Sequence, residues 1–421
     1  MSSAVEERSG AGIRFPGALV RLLCWFLLPE DRAEEFEGDL IEEAELVILP
    51  KHGRRAALRW FWWQIATSVP PMLARRLYKE VMMYPQRWIA PGALILIWGV
   101  WGWMDLGNRP TGGFDWGSSV VLSVDQGGPA DRAGLKEGDR ILTMNGVSSA
   151  DLQNLQRQPR TEIGETQVLV VERSDEVTGE NVTETIEITH ARIPASERTL
   201  DTVAAILGLA FLLTGLLVFL KVQTTASLLF AIVGLGFATI LLPDPYIAPF
   251  GIRALAAELL FLLLLTAFAC LLHLFLVFPK RKGVMEKKHA GKLIYLPVPV
   301  VALLGGINFF GRLPDAFPAA LIIGIFLIGY VLLAMAALIH SFVTAGPRER
   351  AEEGLNLMLA GVVIGLVPIT AMMVAGLFFR TDLIQGMDYL FLTLAIIPIS
   401  FGAALLKCTR GQLQADATQT A

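Results

Sequence analysis

Charged residues and cysteines are both scarce in this sequence. These shortages argue against a nucleic-acid-binding protein and against a fold held by disulfides or a metal. Asp, Glu, Lys and Arg make up 18% of the 421 residues, against about 25% in ordinary soluble domains. The net charge is only −4, and no Lys or Arg block is interleaved with aromatic residues, which excludes nucleic acid as a partner. The three cysteines, Cys24, Cys270 and Cys408, lie too far apart in the chain to form a disulfide framework or a metal site.

The motifs of common catalytic sites are missing as well. The sequence has no His-Glu-x-x-His run, in which two imidazoles on one helix face bind zinc and the glutamate activates water. It has no Gly-x-Ser-x-Gly nucleophile turn and no glycine-rich Walker loop. We therefore expect no catalytic residues, no metal and no cofactor, and we do not expect an enzyme.

Long apolar runs account for the hydrophobic excess, which reaches 54% of the chain. The first run, Trp88–Met104, has tryptophans toward its ends, as membrane-spanning helices often do. A polar stretch separates it from seven further runs, at residues 201–220, 224–242, 254–278, 292–310, 317–343, 355–379 and 388–406. The pattern predicts an α-helical polytopic membrane protein with about eight spans, an inserted domain and the lipid bilayer as its surroundings.

The basic residues indicate on which side of the membrane each loop lies. They gather before the first run and in alternate loops after it, most densely between Lys280 and Lys292. The other short loops contain at most one each, near Arg253, Arg312 or Arg380. Because cytoplasmic loops are enriched in Lys and Arg, we expect both termini in the cytoplasm and the polar stretch outside it.

Residues 1–87 form a separate segment that is helical by its pattern. Arginines precede the aromatic cluster Trp60–Trp63. Basic residues beside indoles are typical of a helix in the lipid headgroup layer, and a buried aromatic core in a small soluble bundle is the alternative. The stretches Leu27–Glu45 and Arg54–Pro71 resemble the short prefix domain in front of some bacterial MacB-like permeases. The rest of the chain does not resemble that permease, so the resemblance does not imply transport.

The stretch Gly127–Gly146, GGPADRAGLKEGDRILTMNG, is the most informative part of the polar segment. Pro129 suits a first helical turn, and Gly134 can end that helix in the left-handed conformation. A turn, an alternating strand and a second turn are then predicted at Gly138-Asp139, Arg140–Met144 and Asn145-Gly146. This order of elements resembles the most recognisable block of a PDZ domain of the bacterial HtrA type. The resemblance implies an α/β domain over residues 107–198, which the distribution of Lys and Arg would place outside the cytoplasm.

The segment just before this stretch is the candidate peptide-binding loop. PDZ domains bind an extended peptide as an additional strand at a sheet edge and hold its C-terminal carboxylate with backbone amides. The resemblance implies that Gly112, Gly113 and Phe114 form this loop. The glycines would let amides converge on an anion, and the phenyl ring would line a side-chain pocket. The expected partner is an extracytoplasmic peptide or protein C-terminus.

A helix expected over Ser149–Gln156 would form the opposite wall of the groove, with Leu152 and Leu155 on one side. The alternative is that Gly112-Gly113 is a linker and that both leucines belong to the core. The short interval before the strand expected at Val120–Val124 also leaves little room for the edge strand with which a peptide pairs. Peptide capture and the linker interpretation both stay open at this point.

Two membrane segments, Leu271–Lys282 and Ile397–Lys407, resemble the membrane region of bacterial PDZ-bearing sensor kinases and related phosphatase regulators. In those proteins a first span, an outside PDZ-like domain and a helix bundle precede a cytoplasmic output domain. The order of parts matches over residues 88–407, but no phosphoacceptor histidine box or ATP-binding pattern follows Lys407. The resemblance implies a sensing or receptor-like role in the bacterial cytoplasmic membrane, with a cytoplasmic signalling or membrane partner left unidentified.

The predicted organisation is a cytoplasmic helical prefix (1–87), a first transmembrane helix (88–106), an extracytoplasmic PDZ-like domain (107–198), a seven-helix bundle (199–407) and a cytoplasmic tail (408–421). We expect a membrane sensor, receptor or scaffold in which the PDZ domain binds a peptide or protein and couples it to the bundle. The alternatives are a transport or permease-associated subunit and an inactive relative of a membrane protease. Polar residues facing one intramembrane cavity would favour transport, whereas a closed apolar bundle would favour the receptor.

Overall fold

A computed structural model describes most of the chain, namely residues 38–117, 119–151, 155, 158, 160–174, 181–247, 249–287, 289–309, 318–375 and 387–420. The chain divides into two compact units between Arg87 and Trp88. The first unit is helical where it is described, and the second contains a β-sheet domain and a bundle of apolar helices.

Two helices make up most of the first unit where it is described: α1, Leu49–His52, and α2, Arg54–Met83. In α2 the Phe61 ring is fully buried, whereas Trp62 and Trp63 are 42% and 67% exposed. The aromatic cluster is therefore divided between a small core and the surface. The helix at a membrane surface and the buried aromatic core therefore both stay predictions.

The second unit begins with helix α3, Ile89–Asp105, which leads into the β-sheet domain. The described part of the domain contains eight strands and a short helix, α4, Pro129–Arg132. The strands are β1 Pro110–Thr111, β2 Phe114–Gly117, β3 Val120–Val124, β4 Arg140–Met144, β5 Val147–Ser148, β6 Thr166–Ser174, β7 Asn181–Thr189 and β8 Ala191–Arg192. Their sheet has the order β2-β3-β4-β6-β7 with β5 beside β4, and β1 pairs separately with β8. The chain therefore enters and leaves the domain through neighbouring strands.

One apolar core lies inside this domain. Ala130 of α4, Ile141 of β4 and Leu169 of β6 are fully buried in it. In β7, the buried residues Ile186 and Ile188 alternate with exposed neighbours, because successive side chains of a strand point to opposite faces. The β-sheet domain expected between the first two apolar runs is thus confirmed.

After the domain, the chain forms the helices of the bundle. They are α5 Ala195–Val222, α6 Thr225–Leu241, α7 Phe250–Val277, α8 Ala290–Tyr295, α9 Pro297–Phe309, α10 Ala319–Thr344, α11 Pro347–Glu352, α12 Leu355–Gly361, α13 Val367–Val374 and α14 Ile396–Thr420. A π-helical turn, Val362–Leu366, joins α12 to α13, and a 3₁₀ segment, Met387–Ala395, precedes α14.

Seven of the eight predicted spans correspond to long apolar helices, and the eighth corresponds to a shorter apolar helix. All eight apolar runs contain helical backbone, but in the described part of the chain seven helical segments are long and apolar enough to cross a membrane. The eighth run forms α6, whose 17 residues span about 26 Å, against a hydrocarbon core about 30 Å thick. Thr224 caps the start of α6 by accepting a hydrogen bond from the Ser227 N–H, and Pro243 follows its end. These two boundaries make α6 short.

Small residues let the bundle helices approach each other closely. A Cβ on Gly234 would lie 2.5 Å from the Phe211 carbonyl oxygen, and one on Gly236 would lie 2.2 Å from the Ala267 Cβ. These positions therefore accept only glycine. The core between the helices is apolar. Among the described residues of the bundle, its buried polar side chains are Ser227, Ser341, Thr370 and Ser400.

Candidate peptide-binding site

The stretch Gly127–Gly146 folds as its sequence predicts. Pro129 occupies the first turn of α4, and Gly134 follows that helix with a φ of 89°. Asn145 and Gly146 have φ values of 49° and 78°, the pair of left-handed conformations that a tight turn after β4 requires. Each of these residues thus occupies a backbone position that its chemistry favours.

Asp139 connects this stretch to the end of β6. Its buried carboxylate accepts hydrogen bonds from Arg173 at 2.7 Å from Nε and 2.5 Å from Nη2, and from the Lys136 N–H at 2.9 Å. The bonds to Asp139 raise the pKa of Arg173, although burial acts in the opposite direction. Arg173 also donates to the Gly134 carbonyl and to the Glu184 carboxylate. This bidentate pair fixes the stretch on the sheet.

The candidate carboxylate loop is held against α4 and the segment before it. The Gly112 carbonyl accepts a hydrogen bond from the Ala130 N–H at 2.9 Å, and the Gly113 carbonyl accepts one from the Asp125 N–H at 3.0 Å. Gly113 has a φ of 71°, and a Cβ there would lie 2.8 Å from the Pro129 Cδ. A larger residue would be strained both by its backbone and by this contact. Such a built turn argues against a linker.

The three amides of this loop differ in their hydrogen bonding. The Gly113 N–H donates to the Thr111 Oγ1 at 3.0 Å. The Gly113 carbonyl faces Asp125, so the Phe114 N–H, in the same trans peptide unit, points away from β3. Within the described residues, the Gly112 N–H has no hydrogen-bond partner. Two amides can therefore receive an anion. Sequence reasoning missed Thr111, although Thr often bonds to a backbone amide two residues ahead.

Strand β2 is the end strand of the sheet and follows the loop directly. It pairs with β3, with a register shift between Asp115 and Trp116, and its outer side pairs with no strand in the described residues. The chain turns at Ser119, whose φ is 65°, before β3 begins. The short interval expected to leave little room for an edge strand thus contains one of four residues. An open strand edge directly after a loop that offers backbone amides is the arrangement used for peptide addition to a sheet.

The opposite wall of the groove is described only in part. Leu155 lies in the segment expected to be helical, and its N–H donates to the Asp151 carbonyl at 3.1 Å. Leu155 and Phe114 are both partly buried against the same core. Leu152 lies outside the described residues. The structure thus brings Gly112, Gly113 and Phe114 together and places Leu155 on the core that Phe114 also contacts.

A buried histidine lies behind the loop. His190 is 9% exposed, its Nε2 is 3.1 Å from the Gln167 Oε1, and its Cε1 is 3.5 Å from the position of a Cβ on Gly112. Its Nδ1 is buried with no hydrogen-bond partner in the part of the chain that is described. Burial lowers the pKa of His190, and the charge of Glu165 opposes the shift. No sequence pattern marks His190, because Gly112 and Gln167 are distant from it in the chain.

The loop between α6 and α7 contacts the domain from the side of the bundle. The Tyr246 hydroxyl donates to the Thr161 carbonyl at 2.5 Å, and the Tyr246 N–H donates to the Asp105 carboxylate at 3.0 Å. The Arg160 guanidinium lies over the Tyr246 ring, 4.6 Å from its centroid. The domain is thus attached to the bundle by contacts as well as by its chain ends.

Comparison with known families agrees with this architecture. The family model described as PDZ domain matches residues 120–173, which extend from the start of β3 to the second-last residue of β6. No curated protein and no solved structure matches the chain. The match contains Gly127–Gly146 but neither the Gly112-Gly113 loop nor β2. The HtrA-like subtype, the sensor-kinase context and the permease-type prefix stay predictions. The chain carries a PDZ domain at residues 120–173, in a protein whose long apolar helices suit a membrane.

Proposed function

We propose that this protein is a membrane receptor or scaffold whose PDZ domain binds the C-terminal end of a peptide or protein. The open edge of β2 beside the Gly112-Gly113 turn carries the proposal. A peptide added along β2 would extend the sheet, and its carboxylate would accept hydrogen bonds from the Gly112 and Phe114 amides. Phe114 and Leu155 would contact its last apolar side chain. The role is binding without catalysis.

The proposal includes coupling between the domain and the bundle. With α6 counted as a short eighth span, the PDZ domain would lie outside the cytoplasm and both termini inside, as the distribution of Lys and Arg indicates. The contacts of Tyr246 with Thr161 and Arg160 would transmit occupancy of the groove to the α6–α7 loop. In the described bundle the buried polar side chains are serine and threonine, which supports a receptor or scaffold over a transport path.

A library of C-terminal peptides, read by fluorescence anisotropy on the full-length protein in lipid nanodiscs, tests the proposal. A binding peptide should lose affinity about 10–150-fold when its carboxylate is replaced by an amide, because hydrogen bonds to a charged group contribute about 1.5–3 kcal/mol. Equal affinity of the two forms, or no binding across the library, would contradict carboxylate capture.

Two glycine variants distinguish an effect on the candidate binding loop from an effect of backbone strain elsewhere in the domain. Gly113→Ala should weaken binding by a similar factor, because it distorts the turn that aims the amides. Gly146→Ala is the matched control, since Gly146 has a φ of 78° but lies in the turn between β4 and β5. An equal loss of affinity in both variants would count against the proposed site.

Tyr246→Phe tests the coupling step. It removes the hydroxyl that bonds to Thr161 and keeps the ring beneath Arg160. We expect the peptide to bind as tightly as to the wild type, while peptide-induced protection of the α6–α7 loop from hydrogen exchange is lost. Protection that persists in this variant would mean that the hydroxyl contact does not carry the coupling.

A further inference from the structure

A cavity of about 260 Å³ lies where the PDZ domain, α3 and the α6–α7 loop meet the start of α7. Its polar part is lined by Arg160, Asp244 and Arg253, and its apolar part by Ala256, Ala257 and Leu260. The two parts follow each other along α7. From Arg253 to Leu260 the helix rises about 10 Å. The cavity therefore joins a charged end to an apolar end.

The charged end has an excess of positive charge. Burial is the main cause that lowers the pKa of Arg160. The nearby positive charges of Arg253 and Arg109 lower it further. Asp244 is a carboxylate of the cavity lining, and it also accepts a hydrogen bond from the Trp98 indole at 3.0 Å. Arg109 donates to the backbone carbonyl of Asp244. The cavity lining itself thus holds two guanidinium groups and one carboxylate, and planar guanidinium groups are suited to binding an anion such as a phosphate.

The apolar end lies on α7, one of the helices able to cross a bilayer. Two other residues of this helix, Leu255 and Leu259, are 62% and 57% exposed. Such exposed leucines on a spanning helix face lipid. Trp98 stands at the other wall of the cavity, where its indole donates to the Asp244 carboxylate. A ligand here would have its anionic group at the interface and its apolar part in the hydrocarbon layer.

We propose that this cavity binds an anionic phospholipid of the leaflet on the PDZ side. The phosphate would lie between Arg160 and Arg253, where planar guanidinium groups bond phosphate oxygens in pairs. The first methylene groups of an acyl chain would pack against Ala257 and Leu260. A free phosphate ion would share the first set of contacts and lack the second. The proposal is independent of peptide binding at β2.

Native mass spectrometry of the full-length protein in detergent, with added phosphatidylglycerol or phosphatidylcholine, tests the site. Wild-type protein should retain phosphatidylglycerol preferentially, and Arg160→Gln with Arg253→Gln should reduce that retention at least tenfold. Arg132→Gln is the matched control, because Arg132 is an exposed arginine on α4, away from the cavity. Equal retention of the two lipids by the wild type, or an equal loss in the control, would overturn the proposal.

A second variant keeps the proposal testable if the arginine variants do not fold. Ala257→Leu fills the apolar end and leaves every charge in place, so it should also lower phosphatidylglycerol retention. Inorganic phosphate in excess should not displace the lipid from the wild type. If phosphate alone displaces it, the site recognises the free anion, and the assignment to a lipid is wrong.

Discussion

The pair of Arg173 and Asp139 is the contact of the PDZ domain whose loss has the most predictable consequence. Arg173→Met keeps the side-chain stem and removes two of the three hydrogen bonds that the Asp139 carboxylate accepts. The carboxylate is 2% exposed, and breaking a buried pair from one side costs about 3–5 kcal/mol. Because Arg173 is 25% exposed, water can enter the vacated space, and we expect the lower end, about 3 kcal/mol.

Two comparison variants show whether burial of the carboxylate is the cause. Asp139→Asn should lower the free energy of unfolding by less, about 1–2 kcal/mol. The remaining Arg173 charge is partly solvated and keeps its bonds to the Gly134 carbonyl and Glu184. Glu184→Gln removes the outer ion pair, whose carboxylate is 54% exposed. Surface pairs contribute about 0–1 kcal/mol, so this variant should be close to the wild type.

Hydrogen-exchange mass spectrometry on the full-length protein gives the free energy of opening for the core strands of the domain. A loss of about 3 kcal/mol makes exchange of the β4 and β6 amides about 150-fold faster, while peptides from the bundle keep their rates. If Arg173→Met and Glu184→Gln accelerate exchange equally, the buried pair does not hold Gly127–Gly146 on the sheet, and the reasoning is refuted.

Two further predictions concern His190 and Gly102. Burial lowers the pKa of His190, so the unfolded domain takes up this proton at a higher pH than the folded domain does. The free energy of unfolding of the domain should thus be highest above about pH 6.5 and decrease as the pH falls through the lowered pKa. Pulse proteolysis in urea should show this dependence on pH, and His190→Gln should reduce it. Gly102→Ala would place a Cβ 1.8 Å from the Pro243 carbonyl oxygen and should destabilise the protein by about 1–3 kcal/mol. Gly92→Ala, which meets a flexible Leu216 methyl group at 3.4 Å, should have a much smaller effect on thermal unfolding, and equal shifts would contradict the packing argument.

Local chemistry made part of this structure predictable. Gly134, Asn145 and Gly146 favour left-handed backbone conformations on their own account, and each has a positive φ in the structure. The apolar runs are similarly direct, since a long hydrophobic stretch in a membrane must form hydrogen bonds within itself and becomes a helix. The domain and most spanning candidates could therefore be predicted without any knowledge of distant contacts.

The remaining features depend on residues far apart in the chain. Arg173 is 34 positions from Asp139, and Tyr246 is 85 positions from Thr161. No periodicity encodes such pairs. The edge strand β2 was missed for a different reason: its sequence, FDWG, has an acidic residue and a glycine in place of alternating β-branched residues. Its position is fixed by pairing with β3, which is a tertiary contact.

The connection between the candidate loop and helices α3 and α5 determines whether peptide binding can displace the ends of these helices. α3 ends at Asp105, a 3₁₀ turn occupies Leu106–Asn108, and β1 begins at Pro110, directly before Gly112. β1 is paired with β8, which leads into α5, so the connection has no flexible stretch in which a displacement could be absorbed. A PDZ domain on long linkers would only tether its partner. Here, a shift of the loop on peptide binding would reach the ends of α3 and α5, and this rigid attachment favours a receptor over a passive scaffold within the proposed function.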